Sequence, residues 1–169
     1  MNYRVVYSGR KTLSLCVKDC EVIVKAPYGT KKARIESLVH SHTDWILKHL
    51  EKQKRKSEIF DNLTEEDINR LKKQAKQILP QKAAYYANIM GLKYGRITIT
   101  SARKRFGSCS SKGNIAFSYL LMLYPEEAID YVVVHELAHL IELNHSKNFY
   151  RIIENILPDY KERAKILKK

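Results

Sequence analysis

Residues 135–145 constrain the chain most, and they read His-Glu-Leu-Ala-His-Leu-Ile-Glu-Leu-Asn-His. His135 and His139 stand four positions apart, so on an α-helix their imidazoles project from one face and can bind one metal ion. Glu136 points to the adjacent side, where a carboxylate can reach a metal-bound water. This HExxH spacing predicts two histidine ligands on a helix, with the glutamate as general base.

His145 offers a third imidazole to the same ion. It lies too far along to share the helical face, so the helix has to end first, and Asn144 is suited to a left-handed turn there. Three protein ligands leave one tetrahedral position for water, which is typical of a catalytic zinc site. The alternative is a chance HExxH match, but the preceding apolar run at residues 131–134 suits a buried helix and favours a real metal site.

Composition is that of a globular protein with a strongly basic surface. The 169 residues are 44% hydrophobic, and 31 basic against 18 acidic residues give a net charge of +13. This charge raises affinity for polyanions, although a solvated basic surface is favoured over specific nucleic-acid binding because no nucleic-acid motif accompanies it. Three unpaired cysteines, no signal peptide and no membrane span predict a cytoplasmic protein.

The first 94 residues predict short strands followed by two long helices. Runs at 3–8, 12–17 and 21–25 predict an antiparallel β-meander. Thr30 is an expected N-cap for a helix over 31–52, and the polar segment 52–62 reads as a linker or frayed end. A capping box at Thr64 begins a second helix that runs towards Met90, with Gly91 as its C-cap and Pro80 expected to kink or split it.

The remaining residues predict a small sheet and the metal helix. Strands are expected at 96–100, 106–109 and 115–120, with a hairpin turn at 112–114. Pro125 suits the first turn of the metal helix, and Ser146 is the expected cap of a further helix. The fold class predicted is α+β. Its segments are a meander subdomain (1–30), a helical region (31–94) and a metal-binding core (95–169), joined in one compact unit.

Several motifs together resemble the YgjP-like metallopeptidase family of the zincin clan, which is related to the SprT-like and WLM proteases. The matching residues are Ala26-Pro27, Asp44-Trp45-Ile46, Arg105-Phe106-Gly107-Ser108-Cys109, the run Asp130 to His139, Asn144-His145-Ser146 and Phe149. The family usually has Trp where this chain has Phe106. The resemblance implies zinc bound by His135, His139 and His145, catalysis by Glu136, and a zincin-like core with a small sheet over the HExxH helix.

The sequence also suggests how a substrate is handled. Zinc lowers the pKa of a bound water to about 7, and Glu136 would take its proton and pass it to the leaving group. Residues 105–108 (Arg105, Phe106, Gly107 and Ser108) are expected to bind substrate, because an edge strand there can pair with an extended peptide. Glu142 is a candidate acceptor for a ligand imidazole. Cobalt, nickel or manganese could replace zinc in such a site.

Two alternatives to a metallopeptidase follow from the basic residues. The cluster Arg103, Lys104 and Arg105 beside small residues would suit a nucleoside triphosphate, which the same site would cleave as a pyrophosphatase. A nucleic-acid- or ribosome-associated module with a structural metal is the other alternative, and it predicts strongly salt-dependent binding. The glutamate and the free fourth ligand position favour an enzyme.

Overall fold

The protein is described by a computed structural model covering residues 1–167, without the side chain of Lys56. It divides into two compact units, Met1–Asn62 and the chain from Leu63 onward. The first unit joins the predicted strand segment to the first helical segment, and the second joins the long helix to the metal-binding core. The boundary between the two units therefore lies within the segment 31–94 that was predicted to be helical. The α+β class is confirmed.

The first unit holds a mixed sheet, so the predicted antiparallel meander is corrected. Strands β1 (Arg4–Ser8), β2 (Ser14–Lys18) and β3 (Glu21–Pro27) lie in the order β1-β3-β2. Strand β2 pairs antiparallel with β3 through the turn residues Asp19 and Cys20, both at positive φ, as a two-residue hairpin requires. Strand β1 then pairs in parallel with the other edge of β3. The apolar β3, with Val24 and Ala26 fully buried, takes the centre.

Two helices cover this sheet where one was expected. Helix α1 spans Lys32–Ser41 and helix α2 spans Thr43–Asp61, separated at His42. Helix α2 continues to Asp61, through the basic segment 52–62 that was predicted to be a linker or a frayed helix end. The Thr30 hydroxyl donates to the Pro27 carbonyl at 2.8 Å and does not cap α1, whose N-cap is Lys31. The core of the unit is apolar and consists of Val22, Val24, Ala26, Ile35, Val39 and Ile46.

The second unit begins with helix α3 (Glu65–Met90), whose predicted ends are confirmed. The Thr64 hydroxyl accepts from the Asp67 N–H at 3.1 Å in a capping box, and Gly91 ends the helix at φ 65°. Pro80 does not split the helix, contrary to one of the two expected outcomes. The helix buries one continuous face on both sides of the proline, at Leu71, Ala75, Leu79 and Ala83.

A second mixed sheet and three helices complete this unit. Strands β4 (Ile97–Thr100), β5 (Gly107–Cys109) and β6 (Ile115–Ser118) lie in the order β4-β6-β5, with β6 parallel to β4 and antiparallel to β5. A 3₁₀ turn at Tyr119–Leu123 leads to helices α4 (Glu126–Ala138), α5 (Lys147–Ile156) and α6 (Tyr160–Ile166). Edge strand β5 lies against α4 and so borders the HExxH residues. Within the described residues, every helix is too short or too polar to cross a membrane.

Candidate metal centre

The HExxH segment lies at the end of the buried helix α4, as predicted. The helix is apolar nearly all round, and Val133, Val134, Leu137 and Ala138 are fully buried. His135 and His139 face each other across one helical turn, with ring centroids 5.0 Å apart. His139 is the C-cap residue, so the second ligand position lies where the helix ends.

The third histidine reaches the other two through a short reversal of the chain. After His139 the chain turns, and the Ser146 N–H donates to the Asn144 carbonyl at 2.7 Å. The predicted left-handed residue at Asn144 is wrong, because Asp19 and Cys20 are the described non-glycine residues with positive φ. Helix α5 then starts at its cap, where the Ser146 hydroxyl accepts from the Phe149 N–H at 3.3 Å.

The three predicted ligands come together in one cluster. One ring nitrogen from each of His135, His139 and His145 can be chosen so that all three lie within 4.8 Å of one another. Nε2 of His135 and Nε2 of His145 are 3.1 Å apart. The ring of Phe149, which is fully buried, stacks on His139 and lies edge-on to the other two imidazoles. Phe149 therefore forms an apolar wall behind the cluster.

The protonation of the imidazoles suits a cation. Nδ1 of His139 lies 3.1 Å from the Glu142 carbonyl oxygen, which can only accept, so this nitrogen carries the proton and Nε2 keeps its lone pair. The structure therefore assigns the acceptor role to the Glu142 main chain. The Glu142 carboxylate instead accepts from the Asn144 N–H at 3.4 Å.

Burial favours the neutral form of His135. Desolvation, assisted by the neighbouring imidazoles of His139 and His145, lowers the pKa of His135 to about 4. Burial also lowers the pKa of His139. Nδ1 of His135 is buried without a hydrogen-bond partner in the described part of the chain. The close approach of Nε2 of His135 to Nε2 of His145 leaves two ring nitrogens facing each other, and a set of three imidazole nitrogens fits a divalent metal such as zinc.

Glu136 lies beside the cluster as a buried acid. The residue is 6% exposed, and burial raises the pKa of its carboxyl to about 7, while the charge of Arg105 acts in the opposite direction. A carboxyl with a pKa near neutrality can both accept and release a proton at physiological pH. The thiol of Cys109 has a pKa raised by burial and by the Glu136 charge, which disfavours a thiolate nucleophile.

Two recesses meet at Glu136, and they contain all four residues predicted to bind substrate. One, of about 320 Å³, is lined by Gly107, Ser108, Cys109, His135, Glu136, His139, Leu143 and His145. The other, of about 240 Å³, is lined by Arg105, Phe106, Gly107, Tyr131, Val132, His135 and Glu136. Tyr131 and Leu143 were not singled out from the sequence. The sequence signal that could have indicated them was their proximity to the histidines: Tyr131 lies one helical turn before His135, and Leu143 lies two residues before His145.

Comparison with known proteins is consistent with this geometry. The family model described as "YgjP-like, metallopeptidase domain" matches residues 11–70 and 61–169. No curated protein matches the chain in sequence. Among solved structures, the metallopeptidase zymogen abylysin of Pyrococcus abyssi is 26% identical, with a TM-score of 0.47 over 51% of this chain and 88% of that one.

A second solved structure has the same TM-score and a lower sequence identity. The metallopeptidase zymogen jannalysin of Methanocaldococcus jannaschii is 19% identical, with a TM-score of 0.47 over 53% of this chain and 94% of that one. The family model covers nearly all of the sequence and includes the three histidines and Glu136. The chain therefore belongs to the YgjP-like metallopeptidase family and is a metallohydrolase.

Proposed function

We propose that the protein is a zinc peptidase in which His135, His139 and His145 hold the metal and Glu136 is the general base. The observation that carries this proposal is the cluster of three imidazoles directly beside a buried carboxylate. Zinc in such a site supplies a Lewis acid for the scissile carbonyl and lowers the pKa of a water molecule.

The residues of this chain divide the remaining work. The carboxylate of Glu136 accepts the proton of the attacking water and later donates it to the amine leaving group. The Glu142 carbonyl holds the His139 ring in the tautomer that leaves Nε2 free. Phe149 excludes water from one side of the cluster, which strengthens electrostatic interactions there.

Edge strand β5 is the proposed binding element for the substrate. Strand β6 pairs with one edge of β5, so the other edge of β5 can pair with an extended peptide. The recesses on either side of Glu136 would then receive neighbouring substrate side chains. Phe106 and Tyr131 line one of them, which favours an apolar or aromatic side chain at that position.

The alternatives drawn from the basic residues gain no support. Of the cluster Arg103, Lys104 and Arg105, Arg105 lines one of the two recesses beside Glu136, and neither of these two recesses is lined by the other two residues. The family is one of peptidases, so a peptide or protein is the substrate class. Nucleoside triphosphates are therefore included as the competing substrate in the cleavage experiment described next.

The test is cleavage by the zinc-loaded protein in a mixture of unstructured peptides and nucleoside triphosphates, read by mass spectrometry. Wild type is expected to create new peptide termini. Glu136→Gln should keep one zinc per chain and lose at least about 10²-fold in turnover, because the general base is gone. His139→Ala should lose both zinc and turnover.

Glu127→Gln, which changes an exposed carboxylate on the same helix, is the control and should retain activity. Full turnover in Glu136→Gln would refute the proposed role of the carboxylate. Pyrophosphate release without peptide cleavage would move the protein to the nucleotide hydrolases.

A further inference from the structure

Edge strand β5 has a glycine where it faces the glutamate of helix α4. The φ angle of Gly107 is not among the positive values that favour glycine, so its backbone would accept other residues. A Cβ built at this position, however, would lie 2.5 Å from Oε1, 2.6 Å from Cγ and 2.7 Å from Cδ of Glu136. Carbon atoms in contact are about 3.5–4.0 Å apart. The glycine is therefore required by its neighbour and not by its own backbone.

Neither backbone can easily move away from such a side chain. Gly107 pairs with Phe117 in the sheet, which is fully buried, and the adjacent Phe106 carbonyl accepts from the Ser118 N–H at 2.8 Å. On the other side, Leu137 and Ala138 follow Glu136 in the helix and are fully buried. Interiors packed this closely relax only partly. An added methyl group would thus displace the Glu136 side chain.

The close approach of Gly107 and Glu136 lies where the two recesses meet. Gly107, His135 and Glu136 are shared by both recesses, so the carboxylate lies where the two recesses meet. A displacement of about 1 Å at a reacting group can cost about 10²-fold in rate. The space left by the glycine therefore affects the group on which proton transfer depends.

We infer that Gly107 is a positioning residue for Glu136. Its missing side chain lets the carboxylate lie against β5 at the junction of the two recesses. The inference rests on the proposed role of Glu136 as general base. Gly107 would thus have two separate roles: its main chain can pair with the substrate as part of β5, and its lack of a side chain leaves room for the Glu136 carboxylate.

The contact itself is tested by thermal unfolding of the zinc-loaded, full-length protein. Gly107→Ala is expected to lower the Tm by about 5 °C in the wild-type background, the result of overpacking. In a Glu136→Ala background the three contacting atoms are absent, and the same substitution should lower the Tm by less than half as much. Equal losses in the two backgrounds would overturn the inference.

Gly9→Ala is the matched control. A Cβ at Gly9 meets no atom within 4 Å, and its φ is not positive, so it should leave the Tm unchanged in both backgrounds. A loss at Gly9 as large as that at Gly107 would attribute the effect to glycine replacement in general and would also overturn the inference.

The consequence for catalysis is tested with one peptide that wild type cleaves in the mixture. Gly107→Ala should lower kcat about 10²-fold. Zinc affinity, measured by chelator competition, and KM should stay unchanged. A raised KM with unchanged kcat would mean that residue 107 only blocks substrate, which contradicts positioning. If wild type cleaves no peptide, the peptidase proposal fails and the unfolding comparison alone decides the inference.

Discussion

At the scale of single residues, burial shifts the pKa values of two adjacent side chains in helix α4, His135 and Glu136, in opposite directions. Desolvation disfavours the charged form of each, so the pKa of His135 falls to about 4 and that of Glu136 rises to about 7. Both are therefore uncharged in the metal-free protein over a range of mildly acidic pH. This keeps an imidazole ready to bind metal beside a carboxyl that exchanges protons near neutrality.

These shifts predict an unusual pH dependence of stability for the metal-free protein. Unfolded His135 protonates at 6.5 and folded His135 at about 4, so this group lowers stability as pH falls between them. Unfolded Glu136 ionises at 4.5 and folded Glu136 at about 7, so this group lowers stability as pH rises between them. From pH 4.5 to 6.5 these two effects oppose each other in wild type, while the lowered pKa of His139 adds to the effect of His135.

Glu136→Gln should expose the histidine effect alone. In this variant the free energy of unfolding is expected to rise by up to about 3 kcal/mol from pH 4 to 6.5. Urea unfolding at a series of pH values, with chelator present, measures it. Glu154→Gln, at an exposed position on α5, should follow the wild-type profile. Identical profiles for wild type and Glu136→Gln would show that Glu136 is not held as a buried acid.

At the scale of elements, a charged network holds the metal helix in place. Nζ of Lys82 on α3 lies 2.6 Å from Asp130 on α4, and Arg163 on α6 lies 3.6 Å from the same carboxylate. Asp130 is 9% exposed, and a buried carboxylate is costly unless cationic partners such as these lie beside it. The network joins α3, α4 and α6 at Asp130, which precedes His135 on α4. It therefore fixes the position of the helix that carries His135 and His139.

Lys82→Met should therefore destabilise the second unit. Among the described residues it leaves the buried Asp130 with Arg163 as its ion-pair partner, and we expect this loss to lower the free energy of unfolding in urea by about 2–3 kcal/mol. Glu126→Gln, which removes the other partner of Lys82, should have no measurable effect because that carboxylate is exposed. Equal effects of the two substitutions would mean that burial of Asp130 does not matter.

At the scale of the whole molecule, the metal site belongs to one of the two compact units. All three imidazoles lie after Leu63, and the apolar core of Met1–Asn62 consists of its own residues. Because binding stabilises only what it binds, zinc should stabilise the second unit selectively.

Hydrogen exchange can test this selectivity. Zinc at about 100 times its Kd should stabilise amides of α4 by up to about 2.7 kcal/mol and leave amides of β3 and α1 unchanged. His139→Ala should abolish the effect. Equal protection in α1 would show that the two units unfold together.

The sequence predicted those features that depend on local chemistry. The HExxH spacing, the capping box at Thr64, the left-handed Gly91 and the Ser146 cap each follow from neighbouring residues, and the structure has them where expected. The apolar run at residues 131–134 likewise predicted a buried helix. The clustering of the three histidines, the position of Glu136 next to His135 and the family were therefore within reach of the sequence alone.

Tertiary structure decided what depends on partners distant in the chain. The parallel pairing of β1 arose because the hairpin of β2 and β3 left one edge of the most apolar strand open, and no local pattern reports that. The continuity of α3 through Pro80 follows from its buried face. The requirement for glycine at 107 comes from a glutamate that is 29 positions away in the sequence and in contact in the fold. Residue spacing determines which groups can react, and packing determines where they are held.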